Sequence, residues 1–237
     1  PMLLAKEITT LDHVSRGRAT LGIGAGWYQL EHDALGFEFG TFTDRFAKLE
    51  EALQIIIPML RGETVTSSGT HYRTNDAVNS PVPLHRIPIM IGGSGEKKTL
   101  RMVAQYADES NLVGVRTTSD VSRKLDILAE HCARLDRDRS EIAVTLTLSC
   151  CIAPTMEEAV ADVRVMGQAK GWSDEAIEAN RANLIIGDPD AVGEQLTSLA
   201  TTGIDGFGLS LAANGHIPGR LGLLGEVAGA VLTARAG

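Results

Sequence analysis

The sequence predicts an α/β protein of parallel strands joined by crossover helices, and three observations carry that prediction. Apolar strand-like runs alternate with helical patterns about five times along the 237 residues, and parallel strands need long crossovers of that kind. Small residues gather where two of these runs end, at Gly22, Gly24 and Gly26 in "LGIGAG" and at Gly92, Gly93, Ser94 and Gly95 in "IGGSG". No composition shift, low-complexity tract or exact repeat marks a linker, so residues 1–237 read as one domain.

In chain order, Leu4, Ile8 and Leu11 recur at helical spacing, and the helix they predict stops near Gly17. Residues 18–26, "RATLGIGAG", form a buried strand that runs into glycines, and residues 28–42 form a loop with aromatic and glycine content. Thr41 and Asp44 open the next helix, whose core stripe is Phe46, Leu49, Leu53, Ile56 and Leu60. "TVTSSGTHYRTNDAVNSPVPLHR" has turn chemistry without a helical period and reads as an irregular excursion with room for one hairpin. A strand over Ile87–Ile91 follows, then a helix starting within a residue or two of Ser94 and carrying Leu100, Val103 and Ala107, then the strand "SNLVG".

The next helix has Val121, Leu125, Leu128, Cys132 and Leu135 on one face, and "IAVTLTLSCCIA" is a long strand. Thr155 and Glu158 make a capping box for the helix after it. "GWSDEAIEANRANLIIG" adds extra helix ahead of Asp188 and Pro189, an N-cap followed by proline at the first helical position. "GIDGFGLSL" is the last strand, and residues 217–234 close with a helix. Both a β/α barrel, whose eight units take roughly 250 residues, and a doubly wound sheet satisfy this alternation. Only five long strands are legible.

Composition excludes several classes. With 43% hydrophobic and 22% charged residues the chain can build a full core. A net charge of -8 argues against a nucleic-acid partner, which calls for a basic surface. No apolar run approaches the roughly 20 residues of a membrane helix. Cys132, Cys150 and Cys151 lack a C-x-x-C spacing and read as buried thiols of a reducing cytoplasm. The six histidines are scattered without metal-ligand spacing, so no metal site is expected. The opening "PMLLAK" is no signal peptide and does not read as a natural beginning.

Glycine after a parallel strand lets the backbone turn tightly and approach a ligand, and the helix that follows offers unpaired N–H groups to an anion. In "IGGSGEKK", phosphate binding and a plain strand-to-helix turn are both open readings of these residues. "LGIGAGW" is not the dinucleotide fingerprint, because Trp27 stands where the third glycine belongs and Asp44 lies at a helix start.

Taken together, these stretches resemble the luciferase-like family of flavin and deazaflavin oxidoreductases, and among its members the F420-dependent oxidoreductases. "LDHVSRGRATLGIGAGWYQLEHDALGFEF", "TDRFAKLEEALQII", "PIMIGGSGEKKTLRMVAQYAD" and "GDPDAVGEQLTSLATTGIDGFGLSL" carry the resemblance over nearly the whole chain. It implies a (β/α)8 TIM barrel whose first three βα units have no counterpart here, with residue 1 already inside the third helix. It also implies a phosphate of the cofactor held by Gly92, Gly93 and Ser94, and a pocket lined by Gly24, Ala25 and Gly26. The cofactor so implied is coenzyme F420, with FMN as the alternative. The acid/base residue of the family lies in the segments without a counterpart, so no catalytic residue is carried over.

Trp27 stands where sugar-phosphate-oxidising members place an acid, which points away from that substrate. It is expected as an apolar wall for cofactor or substrate, with core packing at the strand end as the bland alternative. His32, His71 and Tyr72 are candidates for the mouth and lid of the pocket, against ordinary loop packing. Arg45 is expected to pair with a carboxylate such as Glu50, with an anionic cofactor tail as the sharper reading. The expected function is hydride transfer between F420 and a small organic substrate, by a cytoplasmic protein with scope for homo-oligomers. FMN-dependent monooxygenation and a truncated, non-catalytic barrel fragment are the alternatives.

Overall fold

The computed structural model describes residues 1–236. Two compact units form, each from two chain segments: residues 1–110 with 128–142, and residues 111–127 with 143 onward.

The first unit opens with α1 (Met2–Ser15), which buries Ala5, Ile8, Thr9 and Asp12. Leu11, expected in its core, lies off that face and is 52% exposed. The helix stops where Arg16 and Gly17 turn left-handed and the Gly17 N–H donates to the Asp12 carbonyl at 2.8 Å. After β1 (Leu21–Ile23) and α2 (Gln29–Leu35) comes α3 (Phe42–Leu60). Thr41 and Asp44 form the expected capping box, each side chain accepting the other's N–H at 3.2 Å. Leu49, Leu53, Ile56 and Leu60 are buried along α3, while Phe46 is half-buried. β2 (Val65–Ser68) and β3 (Arg73–Ala77) pair as the antiparallel hairpin for which the excursion left room.

β4 (Ile89–Gly92) runs parallel to β1, with Leu21 opposite Ile89 and Ile23 opposite Ile91. Among the described residues β1 has no other strand partner, so it is an edge. α4 (Thr99–Tyr106) begins later than the sequence suggested. Gly93 sits at φ 123°, residues 96–98 make a turn, and the N–H of Leu100, the second residue of the new helix, reaches back to the Gly95 carbonyl at 3.0 Å. Ser94 therefore stands in a bridge between strand and helix, and Lys98 takes the N-cap place. β5 (Glu109–Val113) and α5 (Thr118–Ala133) each cross the boundary between the units. On α5, Val121, Leu128 and Cys132 are buried as expected, whereas Leu135, beyond the helix, is 47% exposed.

The second unit is built on β6 (Ala143–Ile152), which buries alternate residues Val144, Leu146, Leu148 and Cys150. After it come α6 (Met156–Ala169), α7 (Asp174–Arg181), β7 (Ile185–Gly187), α8 (Pro189–Ala200), β8 (Gly206–Ser210) and α9 (Arg220–Ala236). β8 pairs parallel with residues 145–149 of β6, and β7 pairs parallel with residues 150–152. β7 corrects the count of five: six strands stand outside the hairpin among the described residues. Its three residues, Ile185, Ile186 and Gly187, are too few to show a period of two between a helix and an N-cap.

Half of the second expected capping box forms. The Glu158 N–H donates to Thr155 Oγ1 at 3.2 Å, while the Glu158 carboxylate turns to Arg220 at 3.1 Å. Cys151 packs with Ala159, Val163 and Ile177 in a small core. Burial pushes the Cys150 thiol up to about 12 and Cys151 to about 11, so both stay protonated and unreactive at neutral pH. Asp188 caps α8, accepting the Ala191 N–H at 2.9 Å ahead of Pro189. Asp188→Ala is expected to cost about 1 kcal/mol, read as a shift in the urea midpoint at unchanged slope.

Candidate functional site

The register of the first unit decides which residues meet. Because Ile23 lies opposite Ile91, Gly24 and Gly92 leave their strands side by side; a Cβ on Gly24 would stand 3.5 Å from the Gly92 carbonyl. Functional groups in parallel α/β sheets collect at this carboxyl end of the strands. A cleft of about 240 Å³ opens there, lined by Ile23, Gly24 and Ala25 and by Phe39, Arg45, Lys48 and Tyr72. From α3 it takes residues 45, 48, 49, 52 and 56, one helical face with two cations at its start and apolar side chains behind them.

Arg45 corrects an expectation. Glu50 pairs with Arg101, at 2.8 and 3.0 Å between the two forks, and leaves Arg45 to another task. Arg45 donates through Nε to the Gly26 carbonyl at 3.2 Å and through Nη1 to the Gly40 carbonyl at 3.1 Å. Its guanidinium also lies 3.8 Å from the centre of the Phe39 ring. One side chain thus ties both ends of the segment from Gly26 to Gly40, which turns left-handed at Gly26 and at Gly40 and in which α2 buries no residue. His32 lines the cleft as well, with Nδ1 at 3.0 Å from the Tyr28 carbonyl and its ring edge-on to Phe39.

Tyr72 reaches the cleft from the hairpin, and Glu51 holds it there. The Glu51 carboxylate accepts the N–H groups of Thr70, His71 and Tyr72 at 3.0, 2.8 and 3.0 Å. Gly69 is required beside it, since a Cβ would fall 2.3 Å from a carboxylate oxygen. The His71 N–H foremost, with those of Tyr72 and Thr70, holds the Glu51 carboxyl below its usual range. A depressed carboxyl contributes stability above its unfolded pKa and loses it as pH falls through the lower folded value. The hairpin tip is therefore expected to loosen below about pH 4.3. Glu51→Gln should bring the same loosening to neutral pH, read as at least about tenfold faster amide exchange at residues 70–72. Equal exchange in the variant would show that the carboxylate charge is not what holds the tip.

Gly92, Gly93 and Ser94 are half-buried and stand beside the cleft rather than in its wall. Nothing lies within 4 Å of where a Gly92 Cβ would project, Gly93 needs its positive φ, and a Cβ on Gly95 would come 2.9 Å from Thr99 Oγ1. Backbone is thus left open at the strand end, in reach of no bulky side chain of its own, and this fits an anionic group drawn against the turn. Lys98, in the same turn, spends its charge over the rings of Phe42 and Phe46 at 5.1 and 5.4 Å. Trp27 is 83% exposed with its ring 5.2 Å from Tyr28, so core packing does not account for it, and it does not line the cleft. Among the described residues no group of three or more His, Cys, Asp or Glu side chains is placed to hold a metal ion. No helix among them is long and apolar enough to cross a membrane.

Sequence reasoning did not single out Phe39 and Lys48. Phe39 had no signal within its irregular loop. Lys48 had one, since residues 45, 48, 49, 52 and 56 share a helical face.

The chain is 30% identical over 170 residues to an F420-dependent glucose-6-phosphate dehydrogenase of Microbacterium testaceum, covering 69% of this chain and 48% of that protein. It is 24% identical over 232 residues to an FMNH(2)-dependent dimethylsulfone monooxygenase of Pseudomonas fluorescens, covering 86% of this chain and 63% of the relative. The chain spans about half the length of the first curated relatives it matches. Its fold matches that of an F420-dependent secondary alcohol dehydrogenase in complex with an F420-acetone adduct, with a TM-score of 0.81 at 18% identity over 98% of this chain and 75% of that one. A family model described as luciferase-like monooxygenase matches residues 1–206, and the chain belongs to that family.

Proposed function

We propose that the chain, taken over residues 1–237 as one oxidoreductase domain, holds coenzyme F420 at the carboxyl ends of β1 and β4 and serves hydride transfer to or from a small organic substrate. The observation that carries this reading is the juxtaposition of Gly24 and Gly92 at paired strand ends, with the left-handed Gly93 turn on one side and the Arg45 cleft on the other. Gly92, Gly93 and Ser94 take the cofactor phosphate through backbone and hydroxyl, and Gly24, Ala25 and Gly26 give the ring system a wall without side-chain bulk. Arg45 and Lys48 favour its anionic tail. Trp27, next in sequence after Gly26, offers an exposed aromatic face. The bound deazaflavin supplies the hydride chemistry; the protein orients it and limits water.

FMN is the second reading, supported by the similarity to an FMNH(2)-dependent monooxygenase. With Trp27 at the position where sugar-phosphate-oxidising members have an acid, the substrate is not a sugar phosphate. Titration of the purified chain with F420 and with FMN, followed by absorbance and fluorescence, tests the proposal. Saturable F420 binding tighter than FMN binding is expected, and a chain that binds neither is a non-catalytic fragment. In the F420-loaded protein, glucose 6-phosphate is expected to leave the deazaflavin absorbance unchanged, and its bleaching would overturn the reading of Trp27.

A further inference from the structure

A second and larger cleft, of about 410 Å³, opens at the amino end of β4, away from Gly92. Its apolar side is made by Ile57 and Leu60 of α3, Val82 and Leu84 of the segment ahead of β4, and Ile87 and Ile89. Val82 is 52% and Leu84 48% exposed, so the groove leaves two large apolar side chains uncovered. They stay in the open because α1 grips the backbone of their segment. Lys6 Nζ donates to the Val78 carbonyl, His13 Nε2 meets the Val82 carbonyl, and the Leu84 N–H donates to Asp12 Oδ2, each at 2.8 Å. Buried Asn79 adds a fourth tie, from Nδ2 to Thr9 Oγ1 at 2.8 Å. The groove is thus built in advance of any ligand.

Its charged groups are Arg61, Arg86 and Asp108, and one of the two guanidinium groups is unspent. Arg86 is paired with Asp108, which also accepts the Ile89 N–H at 2.9 Å. Arg61 and His85 line the same cleft, and among the described residues neither side chain has a hydrogen-bond or ion-pair partner. His85 is nonetheless held in place, its ring seated against Gly17, where a Cβ would fall 2.1 Å from Cδ2. In a chain of net charge -8, an unpaired guanidinium and an imidazole at the edge of an apolar groove are complementary to a ligand with one anionic end.

We propose that this cleft binds a small amphipathic carboxylic acid, its carboxylate on Arg61 beside His85 and its apolar body along Val82, Leu84 and Ile87. At about 30 Å³ per water, the cleft has the volume of roughly 14 waters, room for a body of about ten carbons. The guanidinium fork matches a carboxylate with two parallel donors, and the walls make burial of the chain favourable.

Isothermal titration of the purified chain with decanoate tests this. Saturable one-to-one binding with Kd below about 1 mM is expected, weakened at least about tenfold by Arg61→Ala and by Val82→Asp. Both substitutions change exposed positions, so circular dichroism should be unchanged. Decyltrimethylammonium, with the same chain and the opposite charge, should give no saturable heat. Absence of saturable decanoate binding overturns the proposal, as does binding that both variants retain or that the cationic analogue reproduces.

Discussion

Gly93→Val is expected to weaken cofactor binding tens to several hundredfold while leaving a folded chain. At φ 123° the backbone of Gly93 occupies a region that side chains rarely enter, and its Cβ would stand 3.3 Å from Thr99 Cγ2. Thr99 is buried at the first position of α4 and has little freedom to retreat. Valine must therefore move the turn, and the turn carries the proposed phosphate contacts. Losing two hydrogen bonds to charged oxygen costs about 2–4 kcal/mol, at tenfold in affinity per 1.4 kcal/mol. Backbone strain of about 1–3 kcal/mol acts on stability as well, so the melting temperature should fall by about 2–4 °C for each kcal/mol. Gly93→Ala separates the causes, since it imposes the same φ with less bulk. Titration of F420 and FMN into both variants, beside thermal melts, provides the readout. Unchanged affinity for both cofactors in a folded valine variant would mean that the glycine turn is a turn and nothing more.

How much of this was legible beforehand depends on the range of the interactions. The caps at Thr41 and Asp188 and the end of α1 at Gly17 are local: a side chain meets a backbone group three residues away, or a left-handed turn needs a glycine. They show in the sequence for that reason. Leu11 was misplaced because two apolar stripes fit the first turns of α1, and packing rather than periodicity selects the one through Ala5 and Ile8. β7 escaped because only its pairing with Cys150, Cys151 and Ile152, more than thirty residues away, makes a strand of three residues.

The candidate site divides in the same way. The two glycine clusters stand out in the sequence because they follow apolar strand-like runs, yet their meeting depends on the β1–β4 register. Arg45 was assigned to Glu50 by sequence proximity on one helix. Arg101, 51 residues further on than Glu50, takes that carboxylate instead, and the released guanidinium becomes the clasp of the cleft.

That clasp gives the second large effect. Arg45→Ala is expected to free the segment from Gly26 to Gly40 and to weaken cofactor binding about thirtyfold. The guanidinium makes two hydrogen bonds to carbonyls and stacks on Phe39. Hydrogen bonds from a charged donor contribute about 1.5–3 kcal/mol each, but the bond to Gly26 is exposed, so about 2 kcal/mol is a fair sum for the pair. Since α2 buries no residue, little else holds the segment, and the loss should show as local opening rather than global unfolding. Amide exchange within residues 26–40 should speed up while the melting temperature shifts by only a few degrees. The cleft loses Phe39 and His32 when the segment opens, and 2 kcal/mol converts to about thirtyfold in affinity. Arg45→Lys discriminates between charge and clasp. Lysine keeps the cation near an anionic tail but has no rigid fork to bridge the carbonyls of Gly26 and Gly40. Rescue of affinity by lysine would assign Arg45 to the cofactor's charge; a lysine variant as open and as weak as alanine would assign it to the segment. A segment that opens in both variants while F420 affinity stays at the wild-type value would take this cleft out of the cofactor site altogether.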